Sequence, residues 1–234
     1  LAALVLALRE VLAFARLGRI DGLRRRAAQA LEDADIKAAR QVSADLARLY
    51  AGRRDMAWGL TRLRDEGAEL IDADLVLGLA EEALMSAADQ SARREIEAAA
   101  RQVAAVTALV PIALADVAVA LVANLRMIRA IAEIYGGRAG VFGSWRLMSR
   151  VIQHLVATGA VAVGDDLISS VAGGGMLSKL SRRFGEGVVN GALTIRVGIA
   201  AMEVCRPLPF TRLERPRVTN MMGRALAGLF GRQT

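Results

Sequence analysis

The sequence predicts an all-α protein in which long antiparallel helices form an extended arm, followed by a more compact, glycine-punctuated helical domain. Of its 234 residues, 54% are hydrophobic but only 4% aromatic, and the excess is alanine, leucine and valine, as in long helices. Apolar positions recur at three- and four-residue steps. Glycine and proline, which interrupt helices, are sparse before Gly136 and frequent after it.

The first residues, "LAALVLAL", lead into Arg9, Arg16, Arg19 and Arg24 to Arg26. Cations gather on the cytoplasmic side of membrane helices, so this reads as the end of a transmembrane segment and its cytoplasmic flank. With no initiating Met and no basic leader, the chain is expected to be a piece of a longer protein. Leu8, Val11, Leu12, Ala15, Ile20 and Leu23 then trace a narrow apolar stripe along one helix. Asp33 or Asp35 caps the next, because a short carboxylate accepts from free amides at a helix start. That helix carries Ile36, Val42, Leu46 and Leu49 and ends around Gly52. From Met56 to Tyr135 the scarcity of breakers predicts one or two very long helices. A coarse boundary falls near residue 85, dividing an arm over 1–85 from a helical domain over 86–234.

The run "QVAAVTALVPIALADVAVALVANL", residues 102–125, raises the choice between a membrane span and a core helix. Asp116 at a bilayer centre would cost about 2.5–3.5 kcal/mol, and Pro111 removes a helical hydrogen bond. A buried apolar central helix accommodates both, with Asp116 paired to an arginine or a helix end. Gly136, Gly137, Gly140 and Gly143 mark a loop, with Ser144 as N-cap of a helix that places Trp145, Met148, Val151, Ile152, Leu155 and Val156 on one side. Gly187 and Gly191, four apart, offer a close-approach face. Pro207 and Pro209 stop the helix containing Cys205. The tail ends in an amphipathic segment with Met221, Met222, Leu226, Leu229 and Phe230.

No constellation for catalysis appears. His154 reads as a solvated surface residue, and adjacent Asp165 and Asp166 suit capping better than acid–base work, which needs carboxyls facing across a substrate. "AGGGMLSKLS" lacks the spacing of a phosphate loop and reads as a hinge. Cys205 is the single cysteine, which excludes an intrachain disulfide and suits a reducing compartment. The expectation is no enzyme, no cofactor and no metal site.

Charge is more informative. There are 31 Lys+Arg against 24 Asp+Glu, a net +7, nearly all of the basic residues being arginine. Such a surface suits anionic lipid, nucleic acid or an acidic protein. Aromatics are few and not interleaved with the arginines, so nucleic acid is not expected. The candidate lipid-contacting residues are Arg19, Arg24, Arg25, Arg26, Arg53, Arg54, Arg62 and Arg64. Lys179, Arg182 and Arg183, preceding a hinge, are candidates for contact with a protein partner.

The run from Asp89 through Ala92, Ile96, "TALVP" ending at Pro111, Asp116 and "NLRMIRAIAEIYG", with "LTIRVGIAAMEVCRPLPF" later, resembles the YcjF-like family of bacterial inner-membrane proteins of unknown function. The arm resembles the family's segment after two N-terminal membrane helices, and the likeness covers most of residues 1–217. The missing part of the membrane hairpin fits a chain trimmed to its soluble part. The resemblance implies a cytoplasmic helical domain tethered to the inner membrane, with related domains fused to or encoded beside P-loop nucleotide hydrolases, and brings no catalytic residues. The expected function is a non-enzymatic membrane scaffold on anionic lipid, as a homodimer that shapes membranes as BAR-type modules do. The alternative is an adaptor or regulator of a P-loop NTPase.

Overall fold

Ile20, Leu23, Ala27 and Ala30 are buried at three- and four-residue steps along the first helix, α1 (18–32), so the stripe read from the sequence is a packed face from Ile20 onward. A computed structural model describes residues 18–109, 113–136, 141–157 and 176–230, with side chains for all but 113–116, 141–146, 176–182 and 229–230. Among the described residues every regular element is helical and there is no strand. The all-α class is what the structure shows.

Asp35 caps α2 (Ile36–Tyr50), its Oδ1 accepting from the Lys37 and Ala38 amides at 2.8 and 3.1 Å. The helix buries Val42, Leu46 and Tyr50 and ends before Gly52, whose φ of 81° suits a residue without Cβ. A short 3₁₀ turn (Arg54–Met56) leads into α3 (Ala57–Gly67). Asp72 then caps α4 (Ala73–Ala80), which passes through a π turn (Glu81–Met85) into α5 (Ser86–Leu109). The very long helices expected from Met56 are therefore broken once more than the composition suggests. α3 ends at Gly67, and Asp72 satisfies a free amide at the new start, accepting from the Asp74 amide at 2.8 Å.

Of the apolar run 102–125, the residues up to Leu109 belong to α5 and those from Ala113 onward to α6 (Ala113–Ile134). Val103, Ala104 and Thr107 are buried, but Val117 is 69% exposed and Leu121 and Val122 are open as well. The expectation of one buried central helix is corrected: α6 buries Ala123, Met127, Ile128 and Ile131, one face in its second half. Pro111 lies outside the described residues, and the Asp116 side chain likewise.

The helix expected to start at Ser144, α7, begins at Val141, so Gly143 and Ser144 sit inside it and not in a loop or at its cap. Met148 and Val151 are buried, whereas Ile152 and Val156 are exposed, so the expected apolar side is narrower than its composition. α8 (Met176–Cys205) ends at Cys205, ahead of Pro207, and α9 (Val218–Phe230) follows. The chain forms two compact units. One takes in the chain as far as Ala92 together with Ala132–Gly143 and Cys205–Arg215; the other comprises Arg93–Ile131, Ser144–Val204 and Pro216–Thr234. The boundary expected near residue 85 falls in the π turn, inside the first unit.

In the second unit, a Cβ at Gly187 would stand 2.6 Å from the Ala104 carbonyl oxygen, and one at Gly191 3.3 Å from the Ala104 Cβ. Both glycines thus let α8 press its backbone onto α5. In the first unit Gly59 does the same for α3 against the π turn, where a Cβ would meet the Ala83 oxygen at 2.0 Å.

Candidate functional site

Arg206 is 1% exposed, yet every one of its guanidinium nitrogens is engaged. Its Nε donates to both Asp89 carboxylate oxygens at 3.0 and 3.2 Å, and Nη2 donates to Asp89 Oδ2 at 3.0 Å and Glu81 Oε1 at 2.9 Å. Nη1 donates to the Leu208 and Pro209 carbonyls at 2.7 and 2.6 Å. The Phe210 ring lies 3.9 Å from the guanidinium carbon, a cation–π contact. Arginine's planar fork supports this many fixed contacts where lysine could not.

The π turn explains how one helical run supplies both carboxylates. Eight residues of regular α-helix would set Glu81 and Asp89 about 80° apart. The extra residue of a π turn makes the separation equivalent to about seven, close to two whole turns, and both side chains reach Arg206. Glu81 also binds the chain beyond it, accepting from the Thr211 and Arg212 amides at 3.1 and 2.8 Å and from the Thr211 hydroxyl. Tyr135 Oη donates to Asp89 at 2.6 Å, and Tyr50 Oη donates to the Tyr135 carbonyl at 3.2 Å.

Burial alone would raise the Glu81 carboxyl, but the Thr211 hydroxyl, the Arg212 amide and the Arg206 charge outweigh it and hold it below the ordinary glutamate range. Burial, reinforced by Asp89, pushes the Tyr135 hydroxyl well up, and burial does the same to Tyr50. The centre joins Arg206 to Glu81 and Asp89 by ion pairs of 2.9 and 3.0 Å, bordered by two tyrosines whose hydroxyls burial keeps protonated. With all five guanidinium protons committed, it holds the segment from Arg206 to Leu213 in place.

The candidate lipid-contacting arginines divide into two groups. Arg26 pairs with Asp45 at 2.8 Å. Arg53 pairs with Asp55, holding that carboxyl below its usual range, and donates to the Ile134 carbonyl at 2.6 Å. Arg62 pairs with Glu66 and Glu82. Arg19, Arg25, Arg54 and Arg64 are exposed and form no ion pair among the described residues, while Arg24 is half-buried and also has a contact. Trp58 was not among the sequence candidates, yet it is 71% exposed, with the Arg62 guanidinium over its ring at 5.8 Å. The available signal was spacing: Arg54, Trp58 and Arg62 follow at steps of four.

Lys179, Arg182 and Arg183 lie in α8, which runs unbroken from Met176 to Cys205. The hinge expected after them is absent, since the glycines there serve close packing. The Lys179 and Arg182 side chains lie outside the described residues, as do Asp165 and Asp166. His154 is corrected from a solvated residue to a partnered one: its Nε2 is 2.7 Å from Glu203. Among the described residues no cluster of His, Cys, Asp and Glu could hold a metal ion. One described stretch, Arg183–Cys205, is long and apolar enough to cross a membrane, and more than half of its apolar window is buried within the protein.

Comparison with known proteins gives the class. Residues 71–231, which contain Glu81, Asp89, Tyr135 and Arg206, match the family described as a domain of unknown function, DUF697, and the chain belongs to that family. It is 44% identical over 223 residues to a UPF0283 membrane protein of Rhizobium meliloti, covering 95% of this chain and 62% of that protein. It is also 44% identical to one from Sinorhizobium medicae, over 94% of this chain and 61% of that protein. A Bradyrhizobium diazoefficiens relative is 43% identical over 91% of this chain and 62% of its own length. The chain thus spans about three fifths of the curated relatives it matches. No solved structure matches it. Membership in a family of bacterial membrane proteins of unknown function, expected from the residues, is what these matches show.

Proposed function

We propose that the protein is a non-enzymatic, membrane-associated helical scaffold whose first unit rests on anionic lipid at the cytoplasmic face of the bacterial inner membrane. The observation that carries this reading is the exposed Trp58 with Arg54 and Arg62 one turn to either side. A tryptophan ring has an apolar body and a polar edge and gathers at membrane interfaces. An arginine near an anionic surface adds about 1 kcal/mol, a contribution open to exposed Arg54, whereas Arg62 is held by Glu66 and Glu82. Arg19, Arg25 and Arg64 are exposed cations on the same unit. The names of the relatives, all membrane proteins, support the same setting.

Co-sedimentation with phosphatidylglycerol-containing and neutral vesicles across a salt series tests the proposal. Binding confined to anionic vesicles and weakening with salt supports it. Equal binding to both, or to neither, contradicts it. Electron micrographs of the pellets test the further step to a BAR-like homodimer: tubules support membrane shaping, and round vesicles contradict it.

A further inference from the structure

We infer that the groove between α2 and α3 takes one acyl chain of an anionic phospholipid, with its phosphate held at Arg40 and Arg64; this rests on the membrane-surface reading above. The two helices both pack on α4 and hardly touch one another, which leaves a groove of about 680 Å³ with Val76 among its lining residues. That volume is in the range of small-ligand sites.

The groove is polarised. Arg40 Nη2 donates to the Leu70 carbonyl at 2.9 Å, so the start of α2 lies beside the chain that leaves α3, and the helices run in opposite senses. Arg40 and Arg64 therefore share one end, while Ala51 and Gly52 lie at the other. No carboxylate lines the groove, and these two exposed arginines are its charged residues. Between the ends the walls are apolar apart from Ser43, one turn from Arg40, with Ala47, Leu60 and Leu63 among the lining residues. Helical rise puts Arg40 and Ala51 about 16 Å apart. One acyl chain covers about the same distance, half of a hydrocarbon core of about 30 Å. A cationic mouth on an apolar slot of this length matches a single-chain anionic amphiphile in charge and extent.

The test uses lysophosphatidylglycerol below its micellar concentration, titrated calorimetrically into the purified chain, with lysophosphatidylcholine as the neutral-headgroup comparison. The expected result is saturable one-to-one binding, about tenfold tighter for the anionic lipid, and about tenfold weaker in Ala47→Trp, which fills the slot, and in Arg64→Glu. Arg64 is exposed, so its variant keeps the fold and the test does not depend on Ala47→Trp alone. Absence of saturable binding, equal binding of the two lipids, or indifference to both substitutions overturns the inference. Loss of a dimer in Ala47→Trp with lysolipid binding unchanged also overturns it, and makes the groove a seat for a second copy. Ala47→Trp should still sediment with anionic vesicles, whereas Trp58→Ala should lose vesicles and keep lysolipid. Vesicle binding without lysolipid binding removes the groove alone; lysolipid binding without vesicle adsorption removes the surface reading.

Discussion

Arg206 and Asp89 stand 117 positions apart in the sequence and meet through three hydrogen bonds of 3.0 to 3.2 Å in the buried centre of the first unit. Removing one member of a buried ion pair strands the other's charge and typically costs about 3–5 kcal/mol. Arg206→Leu is therefore expected to lose stability of that order in urea unfolding. Arg206→Lys should recover only part of it, because an ammonium cannot reproduce the fork that serves Glu81, Asp89 and two carbonyls.

Acid should act through Glu81. Its folded value lies below the unfolded one of about 4.3, so its contribution is complete above that pH and is lost as pH falls through the folded value. Thermal unfolding scanned from pH 7 to pH 3 should show the transition falling at the acid end. In Glu81→Gln the protein should start less stable at pH 7 and fall less steeply. An unchanged acid slope in that variant would mean that other carboxylates dominate.

The close approaches give a graded set. Gly59→Ala forces a Cβ toward a carbonyl oxygen at 2.0 Å, and Gly187→Ala toward one at 2.6 Å; both oxygens are backbone and cannot swing aside. Each substitution should cost on the order of 1–3 kcal/mol, as overpacking does, with Gly59 the worse. A Cβ added at Gly223, on α9, would meet nothing within 4 Å. Gly223→Ala should gain about 0.5–1 kcal/mol from helix propensity. Circular-dichroism melts of the three variants check the order.

Much of the fold was legible because helical periodicity and caps are local. Asp35 caps α2, the helix before Pro207 ends at Cys205, and Ile20 and Leu23 are packed, all as spacing implies. The Arg206 centre was hidden for a physical reason. Regular 3.6-residue counting sets Glu81 and Asp89 about 80° apart, and the π turn brings them closer into line. Asp89 and "CRPLPF" stood out through family resemblance without any visible role. Charge counting favoured arginines and passed over Trp58, since whether a tryptophan packs inside or faces solvent depends on tertiary contacts that spacing does not encode.

Trp58→Ala separates surface function from stability. The side chain is largely exposed, so unfolding should change by less than about 0.5 kcal/mol, while the fraction bound to anionic vesicles at fixed lipid should fall severalfold. A large loss of stability would instead make Trp58 a structural residue.

The most direct measurement is Trp58 fluorescence in a Trp145→Phe chain mixed with anionic vesicles whose acyl chains carry bromine quenchers. Contact of the Arg54–Trp58–Arg62 face with lipid predicts a blue shift and quenching that high salt reverses. Emission that stays solvent-like while the protein sediments with the vesicles would contradict it, placing the membrane contact on another surface.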